Sequence, residues 1–378
     1  MLLTAVLLLM VLSLGVVYSA SSSWAMQRFG ESGRLLGKHA IKVLLGFVMI
    51  FFFMRVDYQL YRKFSKKILL AAVTLLAVTL ALGVVIKGAS RWLEIGGFGF
   101  QPSEIAKFAL IFHLSTLLAL KQDRIRDFKL GYLPMLVWIG VVTVLVLLQP
   151  NFSTGAMIFA ISLAMLFLGR AKFSHLALTV AALLPLLLVF MVFAEYRMRR
   201  ITGFFGGGAG GSPNYQLIQG ILGFGSGGIF GVGPGESRQR DLFLPESYGD
   251  FVFSIVGEEY GLIGTLFFLA LFLTIMLRGI RIARHAQDDF GYMLASGITL
   301  GITLYALVNA GVTLGILPTT GLPMPFVSYG GSSMVFSAAA VGVLLNVSSQ
   351  TDLHPRLADV PRDRSSAEPA MPAVGRVY

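Results

Sequence analysis

The chain has 378 residues, 56% hydrophobic and 13% charged, with a net charge of +11. Its mean hydropathy is +0.77. A soluble fold with so few polar groups would lack a water-facing surface, so the soluble enzyme classes are excluded. No cysteine is present, which excludes disulfides and thiolate metal sites. His39, His113, His175, His285 and His354 are scattered, and no pair has metal-ligand spacing. The positive charge stands in short loops rather than in a basic domain. That pattern points to contact with membrane lipid and away from nucleic acid.

Apolar runs near 20 residues recur from end to end, the length that crosses about 30 Å of hydrocarbon. Long continuous runs argue against a β-barrel, whose strands alternate. The expected fold is an all-α polytopic membrane protein of about ten transmembrane helices, near residues 2–19, 39–56, 67–87, 103–120, 132–149, 152–169, 174–194, 251–277, 291–315 and 327–348. Residues 1–18 lack a basic start, so they read as a retained first helix rather than a signal peptide. Lys and Arg mark the cytoplasmic side. Arg55, Arg62, Lys63, Lys66 and Lys67, then Lys121, Arg124, Arg126 and Lys129, then Arg170 and Lys172, then Arg278, Arg281 and Arg284 all fall on one side. Both termini then lie in the cytoplasm, and a large extracytoplasmic loop, 195–250, joins helices 7 and 8. Residues 1–350 form the membrane unit, and the polar stretch 351–378 reads as a disordered cytoplasmic tail.

The loop from Lys87 to Glu104 holds Arg91 and Trp92, the latter an expected interfacial anchor. Ser103 is a good cap for the next helix. Glu104 and Lys107 then share a helix face at i,i+3, either as a structural ion pair or as substrate contacts. The Gln149-Pro-Asn151 turn makes a tight hairpin between helices 5 and 6. In the large loop, Arg197, Arg199, Arg200, Arg238 and Arg240 break the charge rule. They are either indifferent, as in many long loops, or a basic surface for an anionic lipid-linked substrate. Residues 203–212 read as a glycine-rich linker, and 223–235 as short re-entrant or interfacial pieces that need backbone partners.

The polar segment from Arg238 turns at Leu244-Pro245-Glu246 and enters a long apolar run, with Asp250 at the junction. Asp250 is either the cap of helix 8 or a functional carboxylate, and a cap position also holds a carboxylate still. Glu246 either orients substrate or caps the turn. Glu258 and Glu259 lie two turns deeper and are expected to find partners inside the bundle. Before helix 10, residues 317–333 carry three prolines and a Gly-Gly pair, with Ser328 and Tyr329 either capping the helix or donating into an outer cavity.

Val17-Tyr-Ser-Ala-Ser-Ser22, Gly88-Ala-Ser-Arg-Trp92, Gln101-Pro-Ser-Glu-Ile-Ala-Lys107, Leu244-Pro-Glu-Ser-Tyr-Gly-Asp-Phe-Val-Phe253 with Gly257-Glu-Glu259, and Pro318-Thr-Thr-Gly-Leu-Pro-Met-Pro-Phe-Val-Ser-Tyr-Gly-Gly-Ser-Ser333 occur in order along the chain. Together they resemble the SEDS family of membrane glycosyltransferases, to which FtsW and RodA belong. The Pro318–Ser333 stretch is closer to the FtsW branch. The resemblance implies an enzyme that polymerises lipid II into peptidoglycan strands at the outer face of the cytoplasmic (inner) membrane, at the division septum. A RodA-like elongation role, a lipid II flippase and a recruiting scaffold are the alternatives. It implies Asp250 as catalytic base, with substrate contacts drawn from Arg91, Glu104, Lys107, Arg197, Arg199, Arg200, Arg238, Arg240, Glu246, Ser328 and Tyr329. It also implies an undecaprenyl-pyrophosphate-linked glycan as the growing strand. The expected partners are a class B penicillin-binding protein (FtsI-like) and other divisome proteins. No cofactor is evident, though a divalent cation (Mg or Mn) could share the leaving group's charge. Two departures stand out. Asn151 occupies the place of the family's aspartate, and Gly249 stands before Asp250 where threonine is common.

Overall fold

The computed structural model describes residues 1–86, 89–95, 98–192, 198, 204, 212–244 and 247–351. The expected tail and Arg197, Arg199, Arg200 and Glu246 lie outside the described residues.

Among the described residues, ten apolar helices match the ten expected spans. Seven of these are long and apolar enough to cross a membrane, the fifth counted with the turn before it as Phe128–Leu148. Three are shorter, the seventh being counted as Phe173–Leu183. They are α1 (Leu2–Phe29), α2 (Arg34–Arg55), α3 (Tyr58–Leu82), α4 (Pro102–Leu120), α5 (Leu133–Leu148), α6 (Phe152–Leu168), α7 (Phe173–Val192), α9 (Val252–Arg284), α10 (Asp289–Thr313) and α11 (Ser333–Ser349). An additional helix, α8 (Ser212–Gly227), belongs to the large loop. The protein is a multi-pass membrane protein.

Helix α1 runs past its expected end, through the serines at 21–23, where Ser22 turns its hydroxyl back onto the Ser19 carbonyl (3.2 Å). It stops at Gly30, whose φ of 72° ends it in a left-handed cap. The fold is the expected all-α polytopic one, with one small β element that the sequence did not announce. Between α3 and α4 the chain forms a three-stranded antiparallel meander, β1 (Val84–Ile86), β2 (Ala89–Ile95) and β3 (Phe98–Phe100). Its pairs include Val84 with Trp92 and Leu93 with Phe100. The β-branched and aromatic residues there favour strand pairing, which satisfies backbone groups that an open loop would leave to water.

Small residues set the helix packing, as expected where lipid supplies no hydrophobic drive between helices. A Cβ on Gly342 of α11 would lie 2.6 Å from the Ile50 carbonyl of α2. One on Gly297 of α10 would lie 2.7 Å from Ile111 of α4. At the end carrying the 56–58 turn, Asp288 caps α10 by accepting from Gly291 N–H (2.9 Å), and it also accepts from Tyr58 Oη and Gln59 Nε2 (both 3.0 Å). Asn346 of α11 accepts from Tyr58 N–H (2.8 Å) and donates to the Met54 carbonyl (2.9 Å). That end is locked by polar cross-links. The opposite end collects the meander, the 149–151 turn, the large loop and the 314–332 segment.

Helix α9 is broken inside the bundle at Gly261 (φ 62°, ψ −160°). The break frees backbone groups that lipid could not satisfy. The 223–235 stretch, expected to need backbone partners, supplies theirs. Val232 and Gly233 N–H donate to the carbonyls of Glu258 (3.0 Å) and Glu259 (3.1 Å), while Leu262 and Ile263 N–H donate to Gly228 (2.9 Å) and Ile229 (3.2 Å).

Candidate active site

Asp250 stands one residue ahead of the cap of α9. The cap position is Phe251, and its side chain makes no capping bond, so the expectation of Asp250 as the cap is corrected by one residue. What holds Asp250 is tertiary. Asn309 of α10, itself buried, donates both amide hydrogens to carbonyls, one to Asp250 (2.8 Å) and one to Leu322 (2.7 Å). Both partners are acceptors, which fixes the amide's orientation. Asn309 therefore ties the Asp250 turn to the 318–332 segment. On that segment, Gly321 adopts φ 72°, and a Cβ there would lie 3.2 Å from Asp250 Oδ2. The carboxylate thus faces bare backbone, with room that only glycine leaves in this conformation.

The 318–332 segment is itself pinned. Ser153 donates to the Thr320 carbonyl (2.6 Å), and Tyr329 N–H donates to the Tyr248 carbonyl (2.9 Å). Ser328 is buried, and its hydroxyl accepts from Met324 N–H (2.8 Å), so it closes a turn. Phe326 holds φ 63° with its ring fully buried. A non-glycine residue there carries about 1–3 kcal/mol of strain, which persists only where packing over-determines it. Gln101 N–H donates to Ser332 Oγ (2.9 Å), joining the start of α4 to the start of α11. Gln101, not Ser103, is the cap position of α4. Trp92 packs its ring edge on Gly331, where a Cβ would collide with it. The tryptophan expected as an interfacial anchor thus also walls the 318–332 segment.

Glu104 and Lys107 come together as an ion pair at 2.8 Å, both 3% exposed. Lys107 Nζ also lies 4.1 Å from the Tyr305 ring centre of α10. Arg91 donates from Nε to the Gln149 carbonyl (3.2 Å) and also to that of Pro150, joining the meander to the α5–α6 turn. Arg240 donates to Ser19 Oγ (3.3 Å) and pairs with Asp241 (3.5 Å). Arg238 is exposed. Tyr329 is half-buried between the rings of His39 (5.9 Å) and Tyr248 (5.7 Å).

Glu258 and Glu259 are both 1% exposed; Glu259 finds its partner inside the bundle as expected, whereas the partners of Glu258 come from the large loop. Glu258 accepts from the Ser237 and Ser226 hydroxyls and from Arg238 and Gln239 N–H, and so staples the large loop to α9. Glu259 accepts from Ser19 of α1. Sequence reasoning missed Asn309. The signal was present as a lone amide in an apolar span, where polar groups are read as functional. Among the described residues, no three His, Asp or Glu side chains converge as metal ligands.

The family model for FtsW, RodA and SpoVE, described as a cell cycle protein, matches residues 1–353. The chain belongs to this family. A family relative from Geobacter metallireducens, named probable peptidoglycan glycosyltransferase FtsW, is 40% identical over 338 residues, covering 89% of this chain and 90% of the relative. Stage V sporulation protein E of Bacillus subtilis is 37% identical over 349 residues, covering 90% and 94%. A solved structure described as structural coordination of polymerization and crosslinking by a peptidoglycan synthase complex shares 26% identity at a TM-score of 0.75. It covers 92% of this chain and 96% of that one.

Proposed function

We propose that the chain is a peptidoglycan glycosyltransferase that polymerises lipid II into glycan strands during septal wall synthesis, with Asp250 as general base. Membership of the family and the names of its relatives support the activity. The observation that carries the catalytic assignment is the Asn309 bridge, which holds the Asp250 turn against Gly321 at the loop-rich end of the bundle.

The reaction joins a sugar hydroxyl to a glycan leaving from a lipid pyrophosphate. The hydroxyl is a weak nucleophile at neutral pH, and a positioned carboxylate that takes its proton in the transition state contributes about 10²–10⁴-fold. The α-linked donor becomes a β-linked product in a single displacement. Pyrophosphate is already a good leaving group and needs cationic stabilisation rather than an acid. Arg238, which is exposed, and the arginines at 197, 199 and 200 are the candidates for that role. Arg91, Arg240 and Lys107 are engaged with protein groups and act first as scaffolding. A divalent cation (Mg or Mn) brought with the substrate would share the leaving group's charge. The outer-face site implies an inner-membrane location with both termini cytoplasmic, residues 1–350 as the catalytic unit and 351–378 as a tail. The likeness to a synthase complex supports a crosslinking partner, a class B penicillin-binding protein of FtsI type, working with other divisome proteins.

The test is polymerisation of fluorescent lipid II by the chain and its crosslinking partner, with the partner's own activity blocked. Wild type should make long glycans. Asp250→Asn should make none while folding and binding the partner as wild type does. Equal activity of the two would remove Asp250 from the chemistry, and inertness of both would favour lipid transport or scaffolding.

A further inference from the structure

Lys42 lies about 12 Å along α2 from Arg34 at a 1.5 Å rise per residue. Its ammonium is 4.0 Å from the centre of the Tyr329 ring. Among the described residues no carboxylate pairs with it. A cation over an aromatic ring gains about 0.5–2 kcal/mol. A lysine well inside a transmembrane helix costs about 2.5–3.5 kcal/mol. The ring alone does not offset that, so the ammonium needs water or an anion. The residues around it hold the ring and supply no countercharge. His39 is fully buried and bonded through Nε2 to Ser13 Oγ (2.9 Å). Tyr329 N–H is bound to the Tyr248 carbonyl, two residues before Asp250.

Arg34, Lys38 and Lys42 follow one another at i, i+4 and i+8, one face of α2, while the helix contains no acidic residue. Like charges at this spacing repel by a few tenths of a kcal/mol per pair. Arg34 and Lys38 are exposed, and Lys42 is half-buried. The stripe therefore leads from the surface inward and ends on Tyr329, whose backbone N–H is bonded to the Tyr248 carbonyl two residues before Asp250. We infer that Lys42 is a docking cation for the phosphate groups of a lipid-linked saccharide diphosphate, which reaches it along Arg34 and Lys38. The inference rests on the glycosyl-transfer reading and adds a binding residue to it. A compact ammonium suits this place, since it meets phosphate as a point charge from a flexible stem.

The full chain with its partner, in phosphatidylcholine nanodiscs, tests the assignment through two readouts. One is KM and kcat for fluorescent lipid II, and the other is direct binding of undecaprenyl diphosphate. Lys42→Gln should raise KM and weaken undecaprenyl diphosphate binding by about tenfold, the scale of one charge-assisted hydrogen bond, with kcat within about twofold. Lys42→Arg should restore both and also guards against a folding defect in the glutamine variant. Undecaprenyl diphosphate bound equally by wild type and a folded Lys42→Gln overturns the inference. So does a difference that emerges only when phosphatidylglycerol is added, because bulk anionic lipid is then the ligand. If wild type binds undecaprenyl diphosphate through Lys42 yet makes no glycan, the polymerase reading fails and the site stands.

Discussion

Replacing Asn309 with leucine removes two donors while keeping the branched heavy-atom skeleton. The carbonyls of Asp250 and Leu322 lose their bonds at 2.8 and 2.7 Å. Each buried acceptor left without a partner costs about 1–3 kcal/mol. The two together amount to about 2–6 kcal/mol, reduced where water enters from the loop end. The loss falls on the joint between the Asp250 turn and the 318–332 segment, not on the helix bundle, which stays locked at its other end by Asp288 and Asn346. It should therefore show first as a misplaced carboxylate. A displacement of about 1 Å at a reacting group is worth on the order of 10²-fold in rate. Asn309→Leu should lower kcat for lipid II polymerisation by about that factor, lower the melting temperature only modestly, and leave partner binding unchanged. A rate within about twofold of wild type, in a variant that melts as wild type does, would refute the positioning argument.

The buried pair of Glu104 and Lys107 calls for a double-mutant cycle. Either Glu104→Gln or Lys107→Met strands a charge and should cost about 3–5 kcal/mol. The double variant should recover most of the thermal stability, and its polymerisation rate then tells whether the pair also meets substrate. Gly321→Ala forces a side chain into φ 72° beside Asp250 Oδ2 and should depress kcat more than melting temperature, as read from matched activity and unfolding curves. Glu258→Gln weakens acceptance from two hydroxyls and two amides. It should expose the 228–243 region to limited proteolysis, and wild-type protection there would show that the staple is dispensable. Gly261→Ala places a Cβ 2.5 Å from the Ile229 carbonyl and should prevent accumulation of folded protein, measured by size exclusion in detergent.

The ten spans were legible because crossing hydrocarbon is a local requirement, met by about 20 apolar residues at a time. The need of 223–235 for backbone partners was legible for a similar reason, and residues 228–233 find them on α9. Asp250 and the buried pair of glutamates stood out because carboxylates next to or within apolar runs are costly. The meander was missed. Its strands are three to seven residues long, too short for a periodicity to rise above a glycine-rich loop.

The sequence by itself determined the membrane class, the helix count and the carboxylate at the mouth of α9, all properties of a segment and its solvent. Only the tertiary structure decided what holds that carboxylate. Asn309 lies 59 residues from Asp250, and its two hydrogens reach carbonyls on two different segments. It likewise decided that Lys42 of α2 faces Tyr329, and that the broken α9 is repaired by backbone some 30 residues earlier in the chain. Such pairings depend on which helices pack together. That choice follows from close approaches at Gly342 and Gly297 that no local pattern announces, because a glycine's neighbour across an interface is absent from its own segment.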